Sequence, residues 1–226
     1  MTSKHTQLEV FWGSGSPNAW RVLLAAEVKK IPYTSKLIEF SGDDLKKPDF
    51  LAINPRGKVP AVRDGSYSLY ESLAIMAYLE RRNPKPAIFG NTPAETGRIW
   101  RTISEFECYM RQPFDDMLRP ILFKQLPEKR SQVQAASETV RTELGRLEQS
   151  MDSDRWLCGS EVSAADLAVY PFVKFIVRIT SKDELKPLNL GLAPFEAKFP
   201  KLQTWMERVE TLPGYERTYP PHWRQQ

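Results

Sequence analysis

The sequence predicts an α/β N-terminal domain joined to an all-α C-terminal helical bundle domain. Three observations predict it. Over residues 1–83 short apolar runs alternate with stretches of helical period; a proline-rich and turn-rich segment, residues 84–95, follows as a linker; and over residues 96–226 only the 3.6-residue period remains.

In order, Leu8-Glu9-Val10-Phe11-Trp12 reads as a strand, ended by Gly13-Ser14-Gly15-Ser16-Pro17. Ala19, Val22, Leu23 and Ala26 then share one face of a helix that runs to Lys30. Residues 33–40 form a second strand, and the polar stretch 41–49 leads into a short helix before Asn54-Pro55. Val59-Pro60-Ala61-Val62 and Tyr67-Ser68-Leu69-Tyr70 are two further strands, joined by the turn signal Asp64-Gly65. Residues 73–82 are helical, and Asn83-Pro84 ends the helix. The order β-α-β-(α)-β-β-α describes a parallel unit followed by an antiparallel hairpin and a closing helix. Beyond the linker, Val133, Ala136, Val140, Leu144 and Leu147 mark a long amphipathic helix. Ser163-Ala-Ala-Asp166 resembles a capping box and opens residues 167–177, apolar nearly all round and so expected at the centre of the bundle. Pro171 is expected to kink that helix or to sit where the lost donor is tolerated. Leu202, Trp205, Met206 and Val209 supply another helix.

Composition closes off several functions. With 41% hydrophobic and 27% charged residues, the 226-residue chain is neither a disordered tail nor a disulfide scaffold. No apolar run approaches the roughly 20 residues of a membrane span, and the polar residues 1–7 lead straight into a strand, so no membrane and no signal peptide are expected. Two cysteines, Cys108 and Cys158, fit a reducing cytoplasm and are expected to be buried structural thiols. The two histidines, His5 and His222, lie near opposite ends, so no metal site is expected and no His-based catalytic set is available. A net charge of +4 comes from pairs such as Lys29-Lys30, Lys46-Lys47 and Arg81-Arg82 mixed with acids, which read as solvated faces and exclude nucleic acid. Gly13-Ser14-Gly15 lacks the third glycine of a dinucleotide fingerprint, and no P-loop lysine follows.

Three features remain. Ser16-Pro17-Asn18 opens the first helix: Ser16 reads as an N-cap with Pro17 in the first helical position. A hydroxyl beside free backbone donors at a helix N-terminus also suits an anion, and a thiolate in particular. Asn54-Pro55-Arg56-Gly57-Lys58-Val59-Pro60 reads as a proline-rich turn; a cis bond before Pro60 would aim the Val59 backbone outward, where an extended peptide could add as a strand. Tyr70-Glu71-Ser72 precedes a helix that Ser72 would cap, with the helix end suited to a carboxylate and Glu71 to an ammonium group.

In this order and spacing the three features resemble the thioredoxin-like half of the cytosolic glutathione transferases. Asn54-Pro-x-Gly-x-Val-Pro60 and Glu71-Ser72-x-Ala-Ile75 are similar to that family's glutathione-binding signature, and Ser163-x-x-Asp166 to the capping box of its buried helix. The resemblance covers essentially the whole chain and is to the serine-type (nu, theta and zeta) classes. It implies a thioredoxin-like α/β domain and a helical domain, glutathione as co-substrate with no metal, a hydrophobic electrophile as second substrate, a detoxifying role and a cytoplasmic homodimer. Counting back six residues from the Val of Arg21-Val22 lands on Ser16 rather than Ser14, which implies Ser16 as the catalytic hydroxyl. Ser16-Pro17-Asn18-Ala19 is also similar to the nu-class run, which implies Asn18 as a second catalytic group.

For glutathione the resemblance implies Val59, beside Pro60, on the cysteinyl backbone, Glu71 and Ser72 on the γ-glutamyl head, and Lys46 or Lys58 on the glycyl carboxylate. Leu45 stands where theta relatives often carry histidine, and no tyrosine or cysteine stands at the catalytic positions of the other classes. Trp12, Phe106, Tyr109, Met110, Phe114 and Met117 are implied for the electrophile, with Arg111 attracting a negative group or lying on the surface. The expected activity is attack of activated glutathione on an electrophile, with peroxidase or disulfide reductase activity beside it. Its rivals are a glutathione-dependent isomerase or dehalogenase, and a non-catalytic binding protein of the same fold.

Overall fold

The computed structural model describes residues 7–40, 42–151 and 155–224; His5 lies outside them. The chain forms two compact units, Met1–Phe89 with Thr211–Gln226, and Gly90–Glu210. Within the first, β1 (Leu8–Trp12), α1 (Pro17–Val28), β2 (Tyr33–Leu37), α2 (Pro48–Leu51), β3 (Ala61–Asp64), β4 (Tyr67–Tyr70) and α3 (Ser72–Arg82) follow the predicted order. The sheet runs β2-β1-β3-β4, with β1 parallel to β2 and the other pairs antiparallel. Alternation along β1 sends Phe11 into a cluster with Phe50, Ile53 and Ala61, which seats α2 on the sheet. Three boundaries move. β2 stops at Leu37, β3 starts at Ala61 because Pro60 has no N–H for the ladder, and Ser72 is the first residue of α3, with Glu71 in the cap position.

The segment after residue 210 packs on the α/β unit, although its helical period alone groups it with the helices. The reason is Trp20 of α1. Its indole N–H donates to Thr218 Oγ1 at 2.8 Å, and its ring meets those of Tyr215, Tyr219 and Trp223 at 5.5–6.1 Å. Glu27 of α1 adds an ion pair to Arg217 and accepts from Tyr33 Oη at 3.0 Å.

The second unit is helical: α4 (Pro93–Glu105), α5 (Arg111–Leu122), α6 (Leu126–Ser150), α7 (Ala164–Thr180), α8 (Phe195–Lys198) and α9 (Pro200–Glu210), with α10 (Tyr215–Thr218) belonging to the first unit. α4 begins inside the expected linker, capped by Thr92 and Glu95 in a capping box. α7 is buried nearly all round and carries Pro171 without a break. Fully buried Asp166 accepts from Leu157 N at 2.8 Å, Ser163 N at 2.8 Å, Ser163 Oγ at 2.7 Å and Trp205 Nε1 at 2.9 Å. Burial pushes its carboxyl above the ordinary range, against the pull of those donors. Asp166 is thus a structural cap. Between α4 and α5 one π-helical turn, Phe106–Met110, turns Cys108 and Tyr109 outward. The expectation that Cys108 is buried is therefore corrected; Cys158 is half-buried, with Sγ donating to Thr102 Oγ1 at 3.5 Å and its thiol raised by burial.

Candidate functional site

Strand register builds the site. Phe11 pairs with Ala61, and Ala61 with Tyr70, so these three residues form one row across the sheet. The row ends at three connections: the loop 13–16 after β1, Val59-Pro60 before β3, and Glu71 after β4. Antiparallel pairing on both sides of β3 puts these three at the same end of the sheet, where α1 and α3 also begin. Residues far apart in sequence thereby share one edge.

Each connection leaves polar groups open. Ser16 caps α1, its Oγ accepting from Ala19 N at 3.3 Å, so its own hydroxyl proton is free to be donated elsewhere. Pro17 has no N–H, and among the described residues the Asn18 N–H is left without an acceptor. Val59 precedes the ladder, its bond to Pro60 is cis, and among the described residues it makes no backbone hydrogen bond. Asn54 holds this turn, donating from Nδ2 to Lys58 O at 2.5 Å and accepting from Arg56 N at 3.0 Å. Glu71 sits at φ 70°, ψ 113°, and no side chain caps α3. Ser72, buried, accepts from Arg21 Nη1 at 3.2 Å, which ties the two helix starts together. Two helix N-termini and an unpaired strand start are the chemical features that suit a short anionic peptide.

Comparison with known proteins decides the family. The model of the glutathione S-transferase N-terminal domain matches residues 15–82, and that of the glutathione S-transferase C-terminal domain matches residues 103–213. The chain belongs to the glutathione S-transferase family. This transferase is 28% identical to glutathione S-transferase A of Pleuronectes platessa, over 96% of the chain and 92% of that protein. It is 29% identical to the maleylacetoacetate isomerase of Mus musculus, over 82% of the chain and 88% of that protein. A glutathione S-transferase from the Antarctic clam Laternula elliptica shares its fold at a TM-score of 0.80 and 27% identity, covering 98% of this chain and 95% of that one. The thioredoxin-like domain and the helical domain expected from the sequence are those of this family.

The transferase gathers Ser16, Asn18, Val59, Pro60, Glu71 and Ser72 at the sheet edge. Lys46 and Lys58 are exposed, Lys46 pairing with Asp43 at 3.1 Å. The aromatic candidates belong to both units, Trp12 to the first and the others to the second. Trp12 is buried and donates from Nε1 to Ser35 Oγ at 2.7 Å. Phe106, Met110, Phe114 and Met117 are buried within the helical unit, and Tyr109 is exposed. Arg111 stacks on Phe172 at 4.7 Å and pairs with Asp115 at 3.3 Å. Two residues escaped the sequence reading. Arg56 reaches to 3.9 Å from Glu71, a proximity that the motif spacing does not reveal. His222 lies far from the first loop along the chain, yet its Nδ1 is 2.6 Å from Ser14 Oγ.

Proposed function

We propose that this transferase binds glutathione along the sheet edge and activates its thiol with Ser16. The observation that carries the reading is the row Phe11–Ala61–Tyr70, because it sets a hydroxyl-capped helix start, an unpaired strand start and an uncapped helix start side by side. The Val59 backbone pairs with the cysteinyl residue as an added strand. Glu71 takes the γ-glutamyl ammonium, Ser72 with the α3 N-terminus takes its carboxylate, and Lys46 or Lys58 takes the glycyl carboxylate. An ordinary thiol, with a pKa near about 8.5, is only a few per cent ionised at neutral pH. A hydrogen bond from Ser16 Oγ, the α1 dipole and the Asn18 amide stabilise the thiolate, releasing its proton to solvent. The thiolate sulfur then bonds to an electrophilic carbon of a hydrophobic small molecule, whose leaving group departs with the bonding pair. The protein works as a cytoplasmic homodimer in detoxification, with glutathione-dependent peroxide or disulfide reduction as further uses of the same thiolate.

Likeness to a maleylacetoacetate isomerase supports a second reading, in which the thiolate adds reversibly and glutathione is regenerated. The test is a glutathione titration followed by thermal melting, then turnover with model electrophiles. Reduced glutathione is expected to raise Tm, because it binds only the native state. Ser16→Ala is expected to keep that shift while losing conjugation. No shift at millimolar glutathione favours the non-catalytic alternative, and turnover without glutathione consumption favours the isomerase.

A further inference from the structure

The loop that carries Ser16 is held by a segment more than two hundred residues away. Residues 13–16 close as a tight turn, with Ser16 N donating to Gly13 O at 3.0 Å. Gly15 has φ +79°, and a Cβ there would lie 2.7 Å from His222 Cε1 and 3.4 Å from Trp223 Nε1. No side chain fits between them. A Cβ on Gly13 would fall 2.2 Å from Phe40 Cζ, so the loop is covered at two points. At Ser14, the residue between, Oγ and His222 Nδ1 share a hydrogen bond of 2.6 Å.

His222 does not reach the loop by chance of a dangling tail. It sits in the helical turn Pro221–Trp223, and Trp223 is buried edge-on against Trp20 at 5.5 Å and Tyr219 at 5.8 Å. Trp20 belongs to α1, the helix that Ser16 caps. Loop, helix and tail are therefore one packed body, with the Ser14–His222 bond as its polar link to the loop.

We propose that His222 is a positioning residue for thiol activation: through Ser14 it fixes the turn that aims the Ser16 hydroxyl. It touches Ser14 and not Ser16, so its effect passes through the loop backbone. The inference rests on the reading of Ser16 given above. Its physical basis is that activation by one hydrogen bond depends steeply on placement, and a displacement of about 1 Å costs on the order of a hundredfold in rate. A turn with two glycines needs an external restraint to hold that placement.

The test uses the full chain with His222→Phe, which keeps a ring but no hydrogen bond, His222→Asn, which keeps a polar atom near Nδ1, and Ser14→Ala. The pKa of glutathione bound to each is read from the ultraviolet absorbance of its thiolate against pH, with kcat and KM measured alongside. His222→Phe and Ser14→Ala are each expected to raise the bound-thiol pKa and lower kcat roughly tenfold with KM for glutathione nearly unchanged. Ser14→Ala/His222→Phe is expected to be no worse than either single variant, and His222→Asn to recover most of the loss. An unchanged bound-thiol pKa in His222→Phe and Ser14→Ala, or losses that add in the double variant, would overturn the proposal. Ser16→Ala separates the two levels: if it raises the thiol pKa while His222→Phe does not, only the role of His222 falls. If Ser16→Ala leaves the thiol pKa unchanged, the activation reading itself falls.

Discussion

Glu71→Gly is expected to make the protein more stable and a poorer binder of glutathione. Glu71 holds φ 70°, ψ 113°, and its side chain is 70% exposed. Among the described residues the other non-glycine positions of positive φ, Lys30, Lys124 and Asn189, follow the ends of helical segments, where such a conformation is ordinary. Glu71 instead precedes a helix. Strain of this kind costs about 1–3 kcal/mol, and glycine relieves it. Against that gain stand about 0.5–1 kcal/mol of extra chain entropy for glycine and about 0–1 kcal/mol for the exposed pair with Arg56. The net is a gain of about 1 kcal/mol, or about 2–4 °C in Tm. Glu71→Ala keeps the strain and serves as the comparison. Binding moves the other way. At a glutathione concentration of about 100 Kd the native protein gains about 2.7 kcal/mol, whereas a tenfold weaker variant gains about 1.4 kcal/mol at that concentration. Melting curves with and without glutathione measure both quantities. A Glu71→Gly protein less stable than Glu71→Ala, or one with the full glutathione shift, would refute the reasoning.

Other outcomes follow from the helical unit. Asp166→Ala leaves three N–H donors, the buried ones of Ser163 and Trp205 and the half-buried one of Leu157, without their acceptor, and is expected to cost about 3–5 kcal/mol in urea denaturation. Asp166→Asn keeps one acceptor oxygen and is expected to cost about 1–3 kcal/mol; equal losses for the two variants would show that the donors find other partners. With a thiol-alkylating reagent at neutral pH, Cys108 is expected to react roughly tenfold or more faster than Cys158, as peptide mass spectrometry would show, because one is exposed and burial keeps the other protonated. Alkylation confined to Cys108 is expected to spare conjugation, since the working sulfur belongs to glutathione; loss of turnover would assign that cysteine a role.

Local rules were legible in the sequence and long-range partners were not. The Asp64-Gly65 turn bounds Tyr67–Tyr70 as a strand, and the same rule sets β1 before the glycine turn. The apolar pattern extends the second strand to Phe40, but β2 ends at Leu37 and Phe40 covers Gly13, a contact that no period encodes. The exposure of Cys108 is not legible because a helix of regular period turns a different face: the π-helical turn buries Phe106 and Met110 and sends Cys108 and Tyr109 outward. The packing of Trp20 on Trp223 joins residues about two hundred positions apart, and hydrophobic periodicity names faces rather than partners. Motif spacing singles out Ser16, Val59 and Glu71 as candidates, and strand register gives the reason they lie at one end of the sheet.

That edge also stands out by the local rules it breaks. α4 and α7 begin with capping boxes, Thr92 with Glu95 and Ser163 with Asp166, each of which pairs two backbone donors from within the chain. α3 begins with no side-chain cap, on a residue of unfavourable backbone conformation, and α1 begins with Pro17 and an amide at Asn18 left over. The α1 start, where Ser16 accepts from Ala19 N, and the α3 start, with no side-chain cap, lie at the same end of one sheet. Open donors and stored strain are tolerated where a ligand completes them. The uncapped α3 start and the strained Glu71 are accordingly the part of the site that stability alone would remove, and their persistence together argues for an anionic ligand held there.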